Sequence, residues 1–181
     1  MLIDRIKSSF SHKYFCDICE ENGFGVDVST SISKENILII KVDKFYSDRT
    51  DLVKLPPSPD CLIIQHCSDG TYHIYIIELK NICDSNGFSI TNIREKFETC
   101  LNDFMKGVLG EFFIDTDYII RRIDLFFVTD PYNESLRTSN HRLNKTTKID
   151  ALLAMNTKAL RFDGKLLGIQ HAPKNPLVNN C

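Results

Sequence analysis

Residues 55–81, LPPSPDCLIIQHCSDGTYHIYIIELKN, constrain the fold more than any other part of the chain. Two apolar runs, 61–64 and 71–79, flank the turn signal Ser68-Asp69-Gly70. Strand-forming runs on either side of such a turn predict a β-hairpin. Side chains on a strand alternate faces with period two. Glu78 and Lys80 therefore point the same way, and Leu79 points into the opposite layer. Antiparallel pairing across Asp69-Gly70 lays the start of the first strand beside the end of the second. Asp60 then arrives near Glu78 and Lys80, although Glu78 is eighteen positions away. Two carboxylates and an amine at one end of a sheet form a chemical tool. The carboxylates can hold a hard divalent cation through oxygen, and the lysine can orient a water beside it.

Pro59-Asp60 followed by Glu78-Leu79-Lys80 resembles the PD-(D/E)xK nuclease superfamily, the restriction-endonuclease-like fold. The Asp opens an apolar strand, and the Glu and Lys close the next one, with a turn between them. The resemblance implies an α/β fold with an α-β-β-β-α-β core, a central mixed sheet flanked by helices. It implies a metal-dependent endonuclease that hydrolyses phosphodiester bonds in DNA, of restriction, junction-resolving, repair or mobile-element type. The alternatives on the same fold are a catalytically weak nucleic-acid-binding module and an RNA-directed nuclease. The catalytic set would be Asp60, Glu78 and Lys80. Asp60, Glu78 and the Leu79 backbone carbonyl would be the metal ligands, with magnesium as the expected ion and manganese as a substitute. Magnesium prefers oxygen ligands and keeps waters that can react. Lys80 would hold the attacking water and offset charge at the scissile phosphate. Double-strand cleavage by one small site calls for two copies related by a two-fold axis, so a homodimer is expected.

A chain of 181 residues predicts one domain with a sizeable core, here a nuclease-like core over residues 1–130 and a C-terminal decoration over 131–181. Hydrophobic residues are 43% and charged residues 25%, as in ordinary globular chains. The formal net charge of −2 gives no global basic excess, but nucleic-acid binding depends on local patches. No apolar run reaches the length of a membrane span, and the first residues, MLIDRIKSSF, lack the pattern of a secretory signal. The reading is a cytoplasmic protein. Seven cysteines include a Cys16-x-x-Cys19 pair without a second pair at ligand spacing, so thiols in a reducing compartment are expected rather than a zinc site. His12, His66, His73, His141 and His171 have no ligand spacing either.

In chain order, three- and four-residue apolar steps predict a helix over residues 2–21, stopped at Asn22-Gly23. Residues 25–35 read as a loop or weak edge strand, 36–42 as a strand, and 43–58 as a surface loop. Ser89 is a natural N-cap for a strongly periodic helix over 89–109. Residues 119–129, with Leu125-Phe126-Phe127-Val128, read as a central strand covered on both faces. Strand, helix, strand implies a right-handed crossover and a parallel pair. A short helix over 148–155, a hairpin turning on Asp163-Gly164 and a tail from His171 complete the chain. Some relatives add an acid from the first helix; Asp4, Asp17, Glu20 and Glu21 are candidates, and Glu20 is preferred for its place near the helix end. Arg94 and Lys96, on the second helix, could reach phosphate, but the favoured reading is the exposed face of an amphipathic helix. Residues 137–148 carry Arg137, Arg142, Lys145 and Lys148 with no Asp or Glu, a composition suited to phosphate contacts.

Overall fold

The computed structural model of the chain describes residues 1–80, 89–114, 117–129, 159–172 and 175–181. Its centre is the predicted hairpin. Strand β5 (Cys61–His66) pairs antiparallel with β6 (Tyr72–Lys80) in the register Cys61↔Ile77 to His66↔Tyr72. The turn closes because Gly70 adopts φ +81, a backbone conformation that favours glycine, and the Cys67 carbonyl accepts from the Gly70 N–H at 3.0 Å. Strand β4 (Ile37–Lys41) adds antiparallel to β5, and β1 (Phe15–Cys16) adds antiparallel to β4. On the other side β7 (Ile120–Thr129) and β10 (Ile169–Ala172) run parallel to β6. The six strands lie in the order β1-β4-β5-β6-β7-β10, a mixed sheet.

Alternation along these strands separates two cores. Leu38, Ile40, Leu62, Ile64, Ile74, Ile76, Leu125 and Phe127 face the helices α1 (Leu2–Ser9), α2 (Val42–Ser47) and α3 (Ile90–Thr99). Ile39, Cys61, Ile63, Tyr75, Ile77, Leu79 and Val128 face the opposite way, against Cys19, Phe24, Val26 and Val178. Those partners belong to a smaller sheet of β2 (Cys19–Glu21), β3 (Phe24–Val28) and β11 (Leu177–Val178). Each of the fully buried aliphatic side chains stabilises the fold by about 1.5–3 kcal/mol relative to exposure.

Helix α3 begins as the sequence predicts, with Ser89 Oγ accepting from the Asn92 N–H at 3.4 Å. It continues in π-helical turns over Cys100–Val108, and the whole stripe of Phe97, Cys100, Leu101, Phe104 and Met105 is buried. The crossover from β6 through α3 to β7 makes the parallel pair expected from strand–helix–strand order. The hairpin on Asp163-Gly164 is also present, as β8 (Leu160–Phe162) and β9 (Lys165–Leu167). Residues 148–155 lie outside the described residues.

Four expectations are corrected. The first helix stops at Ser9 rather than at residue 21. Ser8 turns its hydroxyl back to the Asp4 carbonyl, and Phe10 is already extended. The four-residue spacing of Phe10 and Tyr14 instead builds an aromatic cluster with Phe45 and Phe104, and Ile18 is exposed. Residues 42–47 are helical rather than loop, because Val42, Phe45 and Tyr46 bury one face against the sheet. The segment after Leu167 is not a tail: β10 extends the main sheet and β11 pairs with β3.

The cysteines are the fourth. Cys19 is bonded to Cys61, tying β2 to β5, and Cys67 is bonded to Cys181, tying the hairpin turn to the C-terminal residue. Cys16 and Cys100 are thiols. Closing loops of 42 and 114 residues restricts the unfolded chain, an effect worth about 2–4 kcal/mol per bond. Reduction with dithiothreitol should therefore lower the melting temperature by several degrees. Alkylation of the denatured, unreduced chain should leave Cys19, Cys61, Cys67 and Cys181 unlabelled; labelling of all four would show that neither bond forms.

Among the described residues, no helix is long and apolar enough to cross a membrane.

Candidate active site

The hairpin register carries Asp60 one step beyond Cys61↔Ile77, directly opposite Glu78. Both side chains emerge on the helix-facing side of the sheet, at the carboxyl end of β6 where the chain crosses over through α3. The ends of strands beside such crossovers are where open α/β sheets form their clefts. Here the cleft is a pocket of about 300 Å³ lined by Glu21, Asn22, Asp43, Asp60, Glu78, Leu79, Lys80 and Lys96.

Asp60 is held from two sides. Its Oδ2 accepts from the Leu79 N–H at 2.7 Å, and its carbonyl accepts from the Val42 N–H at 3.0 Å. Glu78 is 1% exposed. Its Oε1 accepts from Lys96 Nζ at 2.6 Å, while its Oε2 is buried with no hydrogen-bond partner among the described residues. An unpartnered buried carboxylate oxygen costs free energy unless a proton or a cation reaches it.

The electrostatics follow from this crowding. Burial pushes the Asp60 carboxyl above the usual carboxylate range, and the charge of Glu78 adds to the effect. Burial also raises Glu78, against the opposing pull of Lys96. Four carboxylates and two ammonium groups line the pocket, which leaves two negative charges when all are ionised. One divalent cation balances that charge. The donor set is oxygen only, and the orphaned Glu78 Oε2 beside Asp60 fits a hard cation. Among the described residues no three His, Cys, Asp or Glu side chains converge as a complete ligand set. Of the four carboxylates, the hairpin register sets Asp60 and Glu78 opposite each other, and such a pair suits an ion that retains much of its water.

The sequence-predicted residues fare unequally. Asp60, Glu78 and Leu79 come together as the hairpin dictates. Lys80 also lines the pocket, but it is exposed, at the last residue of β6. Glu20 does not enter. It is exposed on β2, where its carbonyl accepts from Lys41 Nζ at 3.0 Å. Strand alternation puts its neighbour Glu21, on the side of the buried Cys19, at the pocket instead. Arg137, Arg142, Lys145 and Lys148 lie outside the described residues. Sequence reasoning passed over Asp43, in the first turn of α2, and set Lys96 aside as part of an exposed helix face. A signal for Lys96 exists: it stands three residues after Ile93 and beside Phe97, at the edge of the apolar stripe rather than opposite it.

No protein-family model, curated protein or solved structure matches this chain.

Proposed function

We propose that this chain is a metal-dependent nuclease that hydrolyses phosphodiester bonds in DNA, built on a PD-(D/E)xK core. The observation that carries the reading is the pairing of Asp60 with Glu78 in one pocket, with Glu78 Oε2 buried and unpartnered among the described residues. Once β1 to β3 and α2 are set aside as insertions, the order α1, β4, β5, β6, α3, β7, with an antiparallel meander followed by a parallel strand, supports the same reading.

Asp60 and Glu78 would hold magnesium, with the Leu79 carbonyl as a further ligand. The bound cation would supply charge to the scissile phosphate and a water of raised acidity. The chain's own groups do the rest. The Leu79 N–H fixes the Asp60 carboxylate, and Lys96 on α3 fixes Glu78. Lys80, at the mouth, is placed to meet the phosphate backbone and its water. Cutting both strands of a duplex would use two copies of the site.

Incubation with supercoiled plasmid, branched DNA and RNA, each with magnesium and with chelator, tests the proposal. Magnesium-dependent conversion of plasmid or branched DNA is expected. Cleavage of RNA alone would move the substrate class to RNA. Cutting that persists in chelator, or no cutting of any substrate with magnesium or manganese, would overturn the reading.

A further inference from the structure

Lys96 is the ammonium that the site holds most firmly, and it does not belong to the hairpin motif. Its Nζ lies 2.6 Å from Glu78 Oε1, with only 24% of its side chain exposed, whereas Lys80 is exposed at a strand end. It projects from α3, which is anchored on either side of it by the buried Ile93 and Phe97 and capped by Ser89. A group on a packed helix keeps its position better than one at the edge of a sheet. Its charge also acts through a less polar medium than one in open solvent, so it counts for more.

We propose that Lys96, rather than Lys80, is the principal cationic catalytic residue, donating to a non-bridging oxygen of the scissile phosphate. The inference rests on the nuclease reading above. Glu78 makes it geometrically coherent, because its two oxygens face different partners. Lys96 occupies Oε1, and Oε2 is left for a cation shared with Asp60. The ammonium need not leave for the cation to enter, and the carboxylate keeps both positive charges beside the phosphate. An ammonium has three donors; Lys96 commits one to Glu78. In the hydrolysis the water oxygen bonds to phosphorus and the bond to the leaving oxygen breaks. The water's proton reaches the leaving oxygen by way of solvent, and Lys96 stays protonated throughout.

The test compares Lys96→Met, Lys96→Arg and Lys80→Met by single-turnover cleavage of the nucleic acid that the wild type cuts. Magnesium calorimetry and thermal melting accompany each variant. Lys96→Met should cut about 100- to 10,000-fold more slowly, the usual loss for one such group. It should bind magnesium at least as tightly as wild type, since a positive charge beside Glu78 has gone. Lys96→Arg should restore any lost melting temperature by keeping an ion pair with Glu78. It should still cut at least about tenfold more slowly, because guanidinium is larger and its planar donors are aimed differently. Lys80→Met should lose less than Lys96→Met by about tenfold or more.

Near-wild-type cleavage by Lys96→Met or Lys96→Arg would overturn the inference, as would a larger loss in Lys80→Met, with the nuclease reading intact. Weakened magnesium binding in Lys96→Arg, at wild-type stability, would also overturn it. A wild type that cuts nothing with magnesium removes the nuclease reading itself, and is recognised before any variant is made.

Discussion

Asp60→Asn is expected to abolish magnesium-dependent cleavage and, without magnesium, to melt at a higher temperature than wild type. The two effects share one cause. Asp60 is 5% exposed and faces Glu78, so its ionised form is disfavoured in the fold. Burial raises its folded value above that of the unfolded chain, about 4. Below that value both states are protonated and folding is unaffected. As pH rises past it, the unfolded chain loses the proton while the folded chain retains it. Stability of the metal-free protein is therefore lost from about pH 4 upward through the raised folded value. Asn keeps an oxygen for the Leu79 N–H and removes the charge. Its advantage should be absent near pH 4 and reach on the order of 1–3 kcal/mol at neutral pH. That is roughly 2–4 °C per kcal/mol for a chain of this size. Magnesium should reverse the order. Ligand at about a hundredfold its Kd stabilises wild type by about 2.7 kcal/mol, and the Asn variant should gain little. Cleavage should fall at least about 1,000-fold, since charge stabilisation and ion binding are lost together. Melting curves at pH 4 and pH 8, each with and without magnesium, check the crossing. An Asn variant less stable than wild type at pH 8 without magnesium would refute the account of a crowded carboxylate pair.

The hairpin was legible because its signals are local and agree. A turn tripeptide, two apolar runs and period-two alternation fix the register, and the register puts Asp60 opposite Glu78. Helix α3 was legible for the same reason, from a cap and a sustained stripe. Residues 10–21 were not, because an aromatic cluster and a helix face can share four-residue spacing. Phe10 and Tyr14 satisfy both patterns, and the tertiary partners Phe45 and Phe104 decide between them. Glu21 could not be chosen over Glu20 while the segment was taken as helix, since only strand alternation separates neighbours onto opposite faces. Disulfide pairing was hidden in sequence because Cys19 meets Cys61, and Cys67 meets Cys181, only after the sheets stack. Lys96 was set aside as an exposed-face residue because a lysine at the edge of an apolar stripe usually reaches for solvent. Here Glu78 stands at the far side of the stripe and holds it.

Asp124→Ala is expected to destabilise the fold by about 1–3 kcal/mol, the cost of leaving the buried His73 without its hydrogen-bond partner. The central strand carries this one carboxylate just before its Leu125–Val128 run, 3% exposed, on the face of the sheet away from the candidate site. Three side chains converge on it. His73 Nε2 lies 2.9 Å from Oδ2, and Oδ1 accepts from Arg122 Nε at 2.9 Å and from Gln170 Nε2 at 3.2 Å. His73 stacks on Tyr75 at 4.0 Å, its Nδ1 is 2.9 Å from the Tyr75 hydroxyl, and that hydroxyl reaches Gln65. The network thus joins β5, β6, β7 and β10 beneath the smaller sheet. Burial alone would raise the Asp124 carboxyl, but His73 and Arg122 outweigh it and hold the group below the usual range. The contribution is then fully present above about pH 4 and is lost as pH falls through the lowered folded value. Asp124→Ala should melt roughly 2–12 °C below wild type at pH 7, and this gap should narrow below about pH 4. Asp124→Asn keeps one acceptor and should lose less. At temperatures well below the melt, magnesium binding should be unchanged, because Asp60 and Glu78 project from the other face. A variant that melts within about 2 °C of wild type at pH 7 would mean that the network contributes less than about 1 kcal/mol, so that His73 and Arg122 find other partners as readily as they find Asp124.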